Sequence, residues 1–408
     1  MSIGSIPSHP PQNAIDVEIV SDLGSWSALT QEGPGYDICD APSSFEGAAR
    51  LWFDRGRVDE WARAVVTKPT MDDVARAAGV SRALVSLVMR GSDKVSDRSR
   101  EAVLAAAAEL GYRPNLAARH LASKRTKTFG LLIHDLKNPY FPGLADGLKV
   151  AADRHGYRLM IASGFLADAG EIEALEMFEA FNVDGVILTG SRLPDATIES
   201  MARTMPTVTI SRPMHSDVID TVNSDDYLGA RMVVDHLVGL GHRHICHLDG
   251  GTFAGAIERR RGYEETMRAH GLEPHVEAGD FTEASGATAA EHALSDGRPV
   301  TAIFAGNDLS ALGALDVIDD AGLRVPDDVS LVGYDNTFVS ALRHIELTTI
   351  DQRQPELAAL AVDALVGRVT GERTAVQHIV IPPELVVRKT TAAPPGTDDR
   401  GEAVTPGQ

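Results

Sequence analysis

Cysteine is nearly absent: Cys39 and Cys246 are the only two in 408 residues. A disulfide framework is therefore implausible, and a reducing cytoplasmic compartment is expected. No apolar run reaches the roughly 18 residues that a membrane span needs. The N-terminus has no basic stretch ahead of an apolar core, so it does not read as a signal peptide. Zinc-type Cys/His spacing, G-x-G-x-x-G, the Walker Lys-Ser/Thr pair and G-x-S-x-G are also missing. GGTFAG, at 250–255, has the look of a glycine-rich phosphate loop without its signature residues, and the histidines of GHRHICH read as packing or solvated groups. No cofactor, no metal and no enzymatic activity are expected. Positive charge is scarce too, with a formal net charge of −20. What is present is 43% hydrophobic composition, in a chain long enough for two or three domains.

The scarce basic charge is concentrated. From Lys68 to Lys127 there are twelve Lys/Arg against six Asp/Glu, so the rest of the chain carries −26. A basic head on an acidic body is expected where only the head meets phosphate, although a solvated helical face is also basic. Within that stretch, Thr70 and Asp73 form a capping-box variant that starts a helix through Val74, Ala75 and Ala78. Gly79 suits a turn with positive φ, and Ser81 caps a second helix that holds Val85 and Val88. A third helix follows, capped by Ser96 or Asp97 and stopped at Gly111. This spacing predicts a helix-turn-helix, in which the first turn of the second helix, Arg82, Ala83 and Leu84, meets base edges. An ordinary helical hairpin has the same pattern.

After Phe129 the pattern changes. FGLLIHDL, YRLMIASG, VDGVILTG and TVTISR are short strand-like runs separated by helical or loop segments, and HICHLDG, TAIFAGND and VSLVGYD form a second series. The expectation is α/β: two doubly wound parallel subdomains whose strand ends line one cleft. Polar and aromatic residues fall at those ends: Asn138, Tyr140, Phe141, Arg212, Arg259, Phe281, Asn307, Asp308, Asp335 and Gln352. Aromatic faces with Arg, Asn and Asp groups suit a sugar-like ligand. Each has a plainer reading, since Asn and Asp at strand ends cap the next helix and Tyr140 or Phe141 also fits a core.

DVARAAGVSRALVS, VSDRSREAVLAAAAELGYRPNLAARHLAS, NPYF, RRRGY, AGNDLSALGAL, VGYDN and LTTIDQ together resemble the lac-repressor/galactose-repressor family of transcription regulators, from Thr70 to about Thr390. The resemblance implies a three-helix DNA-binding head at 67–114, a hinge helix and linker at 115–127, and a periplasmic-binding-protein-like effector and dimerisation core at 128–390. It implies a homodimer on a palindromic double-stranded operator, with a small sugar-like effector tuning DNA affinity; the sign of that effect is not visible. The candidate DNA contacts are Thr70, Ser81, Arg82, Ala83, Leu84, Ser86, Leu87, Arg90, Lys94, Ser96, Ser99, Tyr112, Asn115, Ala118 and Leu121. In the family a leucine of each hinge helix wedges a minor-groove base step, and Leu121 matches it, though packing against the body is the alternative. Effector contact is implied for Tyr140, Phe141, Arg212, Arg259, Asn307, Asp335 and Gln352.

Three departures limit the transfer. Ala83 and Leu87 stand where relatives carry hydrogen-bonding residues, so readout must lean on Arg82, Ser86 and Arg90, with Leu87 left to touch a thymine methyl. Ser211 replaces a common Asp, which removes a hydroxyl acceptor. Residues 1–66, which hold Trp26, Trp52 and Trp61, lie outside the resemblance. They read as an appended segment with an amphipathic helix from Phe45 to Val66, as disorder, or as sequence that is not made, the true start being a GTG codon near Val65 or Val66. The tail from 391 to 408 reads as disordered, without a heptad that would tetramerise the protein. A ligand-insensitive DNA-bending protein, or a sugar sensor acting through protein contacts, are the other classes open.

Overall fold

The structure, a computed structural model, describes residues 69–89, 92–112, 125–164, 168–253 and 255–395. These fall into two compact units that divide between Arg113 and Pro114. Arg90, Asn115, Ala118 and Leu121 lie outside the described residues, as do 1–66 and the end of the tail.

The first unit is three helices: α1 (Met71–Ala78), α2 (Arg82–Met89) and α3 (Asp97–Glu109). The capping box forms as the sequence predicts. Asp73 N–H donates to Thr70 Oγ1 at 3.3 Å, and Thr70 N–H donates to Asp73 Oδ2 at 2.9 Å. Gly79 sits at φ 65° in the left-handed region, and Ser81 Oγ accepts from Leu84 N–H at 3.2 Å. Of the two candidates for the third cap, Ser96 takes the role. Val74, Val85, Val88 and Val103 then close one small core. A Cβ added at Gly79 meets no atom within 4 Å, so only the backbone penalty remains. Gly79→Ala should therefore cost the head about 1–2 kcal/mol, seen as faster amide exchange in α1 and α2 with the second unit unaffected.

In the second unit, β1 (Thr128–Ile133), α4 (Tyr140–Arg154), β2 (Arg158–Ser163), α5 (Asp168–Ala180), β3 (Gly185–Thr189), α6 (Asp195–Ala202), β4 (Thr207–Ile210) and β5 (Asp220–Ser224) come first. Then follow α7 (Asp226–Gly239), β6 (Ile245–Leu248), α8 (Ala256–Ala269), β7 (His275–Glu277), α9 (Glu283–Ser295), β8 (Ala302–Ala305), α10 (Asp308–Asp320) and β9 (Ser330–Val332). Last are β10 (Thr349–Asp351), α11 (Gln354–Thr370), β11 (His378–Ile381) and β12 (Glu384–Val386).

One lobe is a six-stranded parallel sheet in the order β11-β5-β4-β3-β1-β2; the other is a four-stranded parallel sheet in the order β7-β6-β8-β9. Central strands are buried along almost their whole length, as strands covered by helices on both faces must be, and β1, β3 and β8 are mostly apolar as well. Phe129, Leu131 and Ile133 of β1 pack with α4 and α11, while Leu132 points to the opposite face with Phe178 and Leu188. Both sheets place their carboxyl ends toward each other. The chain passes between the lobes three times: after β5, after β10, and between β11 and β12, the last pairing antiparallel with β10. α11 lies against α4, where a Cβ on Gly147 would stand 3.0 Å from that of Ala358.

Sequence patterning missed β5, β7 and β10 to β12. β5 reads DTVNS, with Asp220 buried in it and paired to Arg373 at 2.8 Å, so its burial is ionic rather than apolar. The expected disorder is also corrected for 391–395, the described part of the tail. Ala392 N–H donates to Ser330 Oγ at 3.0 Å, and Ala392 O bonds His242 Nε2 at 2.8 Å. Two hydrogen bonds to buried groups hold that backbone where composition alone suggested nothing to hold it.

Candidate DNA-binding and effector sites

In the head, Thr70, Ser81, Arg82, Ala83, Lys94 and Ser96 are exposed. They cluster at helix N-termini and the turn before α3, where backbone N–H groups favour phosphate. Arg82 keeps a loose ion pair with Asp72 at 3.7 Å, which a stronger acceptor can displace. Leu84 and Leu87 differ from expectation: both are half-buried against the head's core. Four apolar residues of this eight-residue helix, Leu84, Val85, Leu87 and Val88, form a stripe too wide for the core to leave free. Tyr112 likewise packs on the core, and Ser99 donates its N–H to the Ser96 cap at 3.4 Å. Ser86 is half-buried.

In the second unit a cavity of about 210 Å³ lies between the facing strand ends. Asn138, Tyr140, Phe141, Arg259, Phe281, Asn307, Asp335 and Gln352 all line it. Arg212 does not. Its guanidinium is occupied with the carbonyls of Ser191 and Leu193 and with Asp195, the last two at 2.6 Å. It ties the loop after β4 to the loop after β3, since three acceptors there outcompete an open cleft. Asn307 and Asp308 divide the capping role otherwise than expected: Asn307 Oδ1 accepts from Ser310 N–H at 2.8 Å, and Asp308 does not cap. Asn307 also donates to Phe281 O at 3.0 Å, so most of its hydrogen-bonding capacity is internal.

His134, Asp135, Gly190, Arg192, Ser211, Phe253, Asp280 and Thr282 line the cavity as well. Most of these directly follow strands whose positions were legible, so the strand-end rule applied to every loop would have found them. Phe253 sits in GGTFAG, a segment tested only for phosphate binding. Asp280, Phe281 and Thr282 follow β7, whose three residues are too few for a periodic signal.

The cavity is organised by Arg259. Its Nε donates to Asp226 Oδ1 at 2.9 Å and its Nη1 to Gly306 O at 2.7 Å, while Asp335 Oδ1 is 3.8 Å away. The guanidinium also lies 3.7 Å from the ring centroid of Tyr334. Burial works against this charge, but Asp226, Tyr334 and Asp335 hold its pKa above the ordinary arginine value. Asp335 is itself pushed well above the carboxylate range, by burial first. Gln352 Nε2 donates to Asp335 at 2.5 Å, and Tyr140 Oη bonds Gln352 Oε1 at 3.3 Å and Ser211 Oγ at 2.7 Å. A polar chain thus runs from one lobe to the other. Ser211, Phe281 and Asp335 carry φ values of 55°, 68° and 119°. Such backbone strain in non-glycine residues concentrates at binding sites.

Residues 70–115 match the lacI family of bacterial regulatory proteins, and residues 234–391 match the periplasmic binding protein-like domain. The HTH-type transcriptional regulator CelR of Thermobifida fusca is 35% identical over 336 residues, spanning 79% of this chain and 98% of CelR. The chain belongs to the lacI family. This lacI-family chain is a helix-turn-helix transcription regulator. The transcriptional repressor CytR of Escherichia coli K12 is 33% identical, over 82% of this chain and 99% of CytR. Among solved structures, the lac repressor bound to ONPG in its repressed state matches with a TM-score of 0.73 at 32% identity, over 79% of this chain and 99% of that one. A CelR–cellobiose complex matches with a TM-score of 0.61 at 33% identity, over 79% and 99%.

Two predictions follow from the site's geometry. A Cβ on Gly229 would overlap the hydroxyl end of Tyr334, so Gly229→Ala displaces the ring beneath Arg259. Overpacking of this kind costs about 1–3 kcal/mol, and urea unfolding of the second unit should register it. Burial pushes the Asp308 carboxyl up to about 6, although Thr337 N–H and the Thr337 and Thr349 hydroxyls donate to it at 2.7, 2.9 and 2.6 Å. A folded-state pKa above the unfolded value of about 3.9 means that the folded protein takes up the proton first. Asp308 therefore contributes its full stability below the unfolded value and loses it as pH rises through about 6. The unfolding free energy of wild type relative to Asp308→Asn should increase from pH 7 to pH 4.5; a decrease would contradict the assignment.

Proposed function

We propose that this regulator is a cytoplasmic repressor that binds a palindromic operator as a homodimer and responds to a small sugar-like effector held in the cavity of its second unit. The observation that carries the reading is the cavity itself: three phenylalanines, Phe141, Phe253 and Phe281, beside a polar chain of Tyr140, Gln352, Asp335 and Arg259. Aromatic faces accept the C–H side of a sugar ring, and the chain's carboxylate, amide and guanidinium groups suit its hydroxyls. CelR, a relative, has been solved with cellobiose, and a lac repressor dimer has been solved on operator.

On the DNA side, the reading gives direct base contact to Arg82 and Ser86, with Thr70, Ser81, Lys94 and Ser96 placed for phosphate. Leu84 and Leu87 serve mainly the head's core, so the helix reads few bases. Domain assignment follows: 67–114 as head, 115–127 as hinge, 128–390 as effector and dimerisation core. The exposed apolar side chains Phe338 and Leu342, four residues apart after β9, suit a contact with a second copy.

Selection of genomic fragments by the full-length protein at moderate salt tests the reading. The expected result is one short palindrome upstream of an operon whose enzymes nominate the effector. Arg82→Ala should weaken binding to that site by about 1–3 kcal/mol while leaving nonspecific binding nearly unchanged. Retention of fragments without sequence preference would instead support a DNA-bending role, and loss of all DNA binding would support a sensor that signals through protein contacts.

A further inference from the structure

We infer that His134 is a specificity-determining residue of the cavity, held by Glu171 with Nδ1–H turned inward so that Nε2 is offered to the ligand as a hydrogen-bond acceptor. The inference rests on the effector reading of the cavity above. His134 follows β1, is only 5% exposed, and lines the cavity. Its Nδ1 is buried without a hydrogen-bond partner, 3.7 Å from Glu171 Oε1. Buried polar atoms rarely lack partners, and an exception asks for a physical reason.

Glu171 supplies one. Its carboxylate is 1% exposed and accepts from the Ser191 hydroxyl at 2.5 Å and from Arg192 N–H at 3.2 Å. Every neighbour donates to it, so the side facing His134 also calls for a donor. Burial alone would raise the Glu171 pKa; His134, Ser191 and the Arg192 backbone reverse that, and it lies below the usual carboxylate value. An imidazole with its proton on Nδ1 presents a lone pair at Nε2.

The corner around the ring is packed. Phe141 and Phe253 meet His134 edge-on at centroid distances of 5.7 and 5.4 Å. Gly190, at φ 59°, is the residue opposite, where a Cβ would stand 3.3 Å from the Phe141 ring and 3.5 Å from His134 Cβ. The ring cannot swing away, so its acceptor is fixed in direction. The ligand group it selects is a hydroxyl or N–H donor next to a C–H face that rests on Phe141 or Phe253. A ligand bond at Nε2 polarises the ring and strengthens the attraction between Nδ1–H and Glu171, 3.7 Å away.

The test uses the full-length chain, ¹⁵N-labelled at its 14 histidines. In a long-range ¹H–¹⁵N correlation spectrum, the His134 signals are the ones that vanish in His134→Gln. The expected spectrum has the proton on Nδ1, and Glu171→Gln should weaken that preference; a proton on Nε2 in wild type overturns the inference. Calorimetry with cellobiose, lactose and ribose supplies the second arm. For a sugar that binds, His134→Gln, whose amide reaches the Nε2 position, should stay within threefold of wild type, while His134→Asn, which reaches only the Nδ1 position, should lose at least tenfold. Equal affinities for wild type and both variants overturn the inference and leave the effector reading standing. If none of the three sugars binds wild type, the sugar reading falls and the tautomer decides the inference. A merely structural histidine would lower the melting temperature in both variants without a tautomer that depends on Glu171.

Discussion

A buried guanidinium is the constraint on which the cavity depends. Arg259 is surrounded by Asp226, Asp335, the Gly306 carbonyl and the Tyr334 ring, and it donates hydrogen bonds to Asp226 and Gly306. Its charge makes the Asp226 carboxylate beside it tolerable in a low-dielectric site, and that carboxylate makes it tolerable in turn. Removing either sign leaves the other buried and uncompensated, which is far more costly than the pair is stabilising. The arrangement therefore fixes positions rather than supplying much net stability. Asp335 fixes Gln352, Gln352 meets Tyr140, and Tyr140 reaches Ser211 in the other lobe.

That chain explains how a small ligand can act on a large body. The two lobes are joined by three chain passages, which permit bending between them while resisting translation. Every member of the polar chain belongs to a residue just after a strand or at the start of a helix, so rotating one lobe changes the chain's lengths at its crossing point. The Tyr140 to Gln352 contact, at 3.3 Å, is the longest hydrogen bond in the chain, and it sits at the passage after β10. On the proposed function, a ligand seated among these groups would interact differently with two orientations of the lobes. Differential interaction is the only way binding can shift such an equilibrium, and the same coupling acts in reverse when DNA selects an orientation.

Much of this was legible in the residues, and most of the parts that were not share a cause. The head followed from local rules: Thr70 with Asp73, Gly79, and Ser81 each act within four residues of themselves. Strands buried on both faces announce themselves as apolar runs, which is why β1, β3, β6 and β8 were visible. β7 was not, because its three residues are too few for a periodic signal, and β5 was not, because Asp220 is buried through a partner distant in sequence, Arg373. The same holds within the site. Arg259, Asp335 and Gln352 came from motifs, whereas the outward turn of Arg212 depends on carbonyls at Ser191 and Leu193 that no local pattern reveals. His134 and Glu171 are 37 residues apart in the chain, and only the fold of β1 beside α5 makes them neighbours.

The head poses the complementary question of how so few donors can read a site. Leu84 and Leu87 give much of their surface to the head's core, and Ala83 has no hydrogen bond to offer. Among the described residues the helix has one arginine, Arg82, and one hydroxyl, Ser86, at its reading edge, and so small a set discriminates weakly on its own. Yet the chain outside the basic stretch carries −26, and negative charge there works against the phosphate attraction that supplies nonspecific affinity. Specificity is a ratio of the two affinities, so lowering the nonspecific one restores part of what the reading edge lacks. Doubling the head on a palindrome multiplies the remaining contrast, because each half-site contributes its own discrimination and a random sequence supplies both only rarely. Weak readout per head is therefore compatible with a selective regulator, provided that two heads act together.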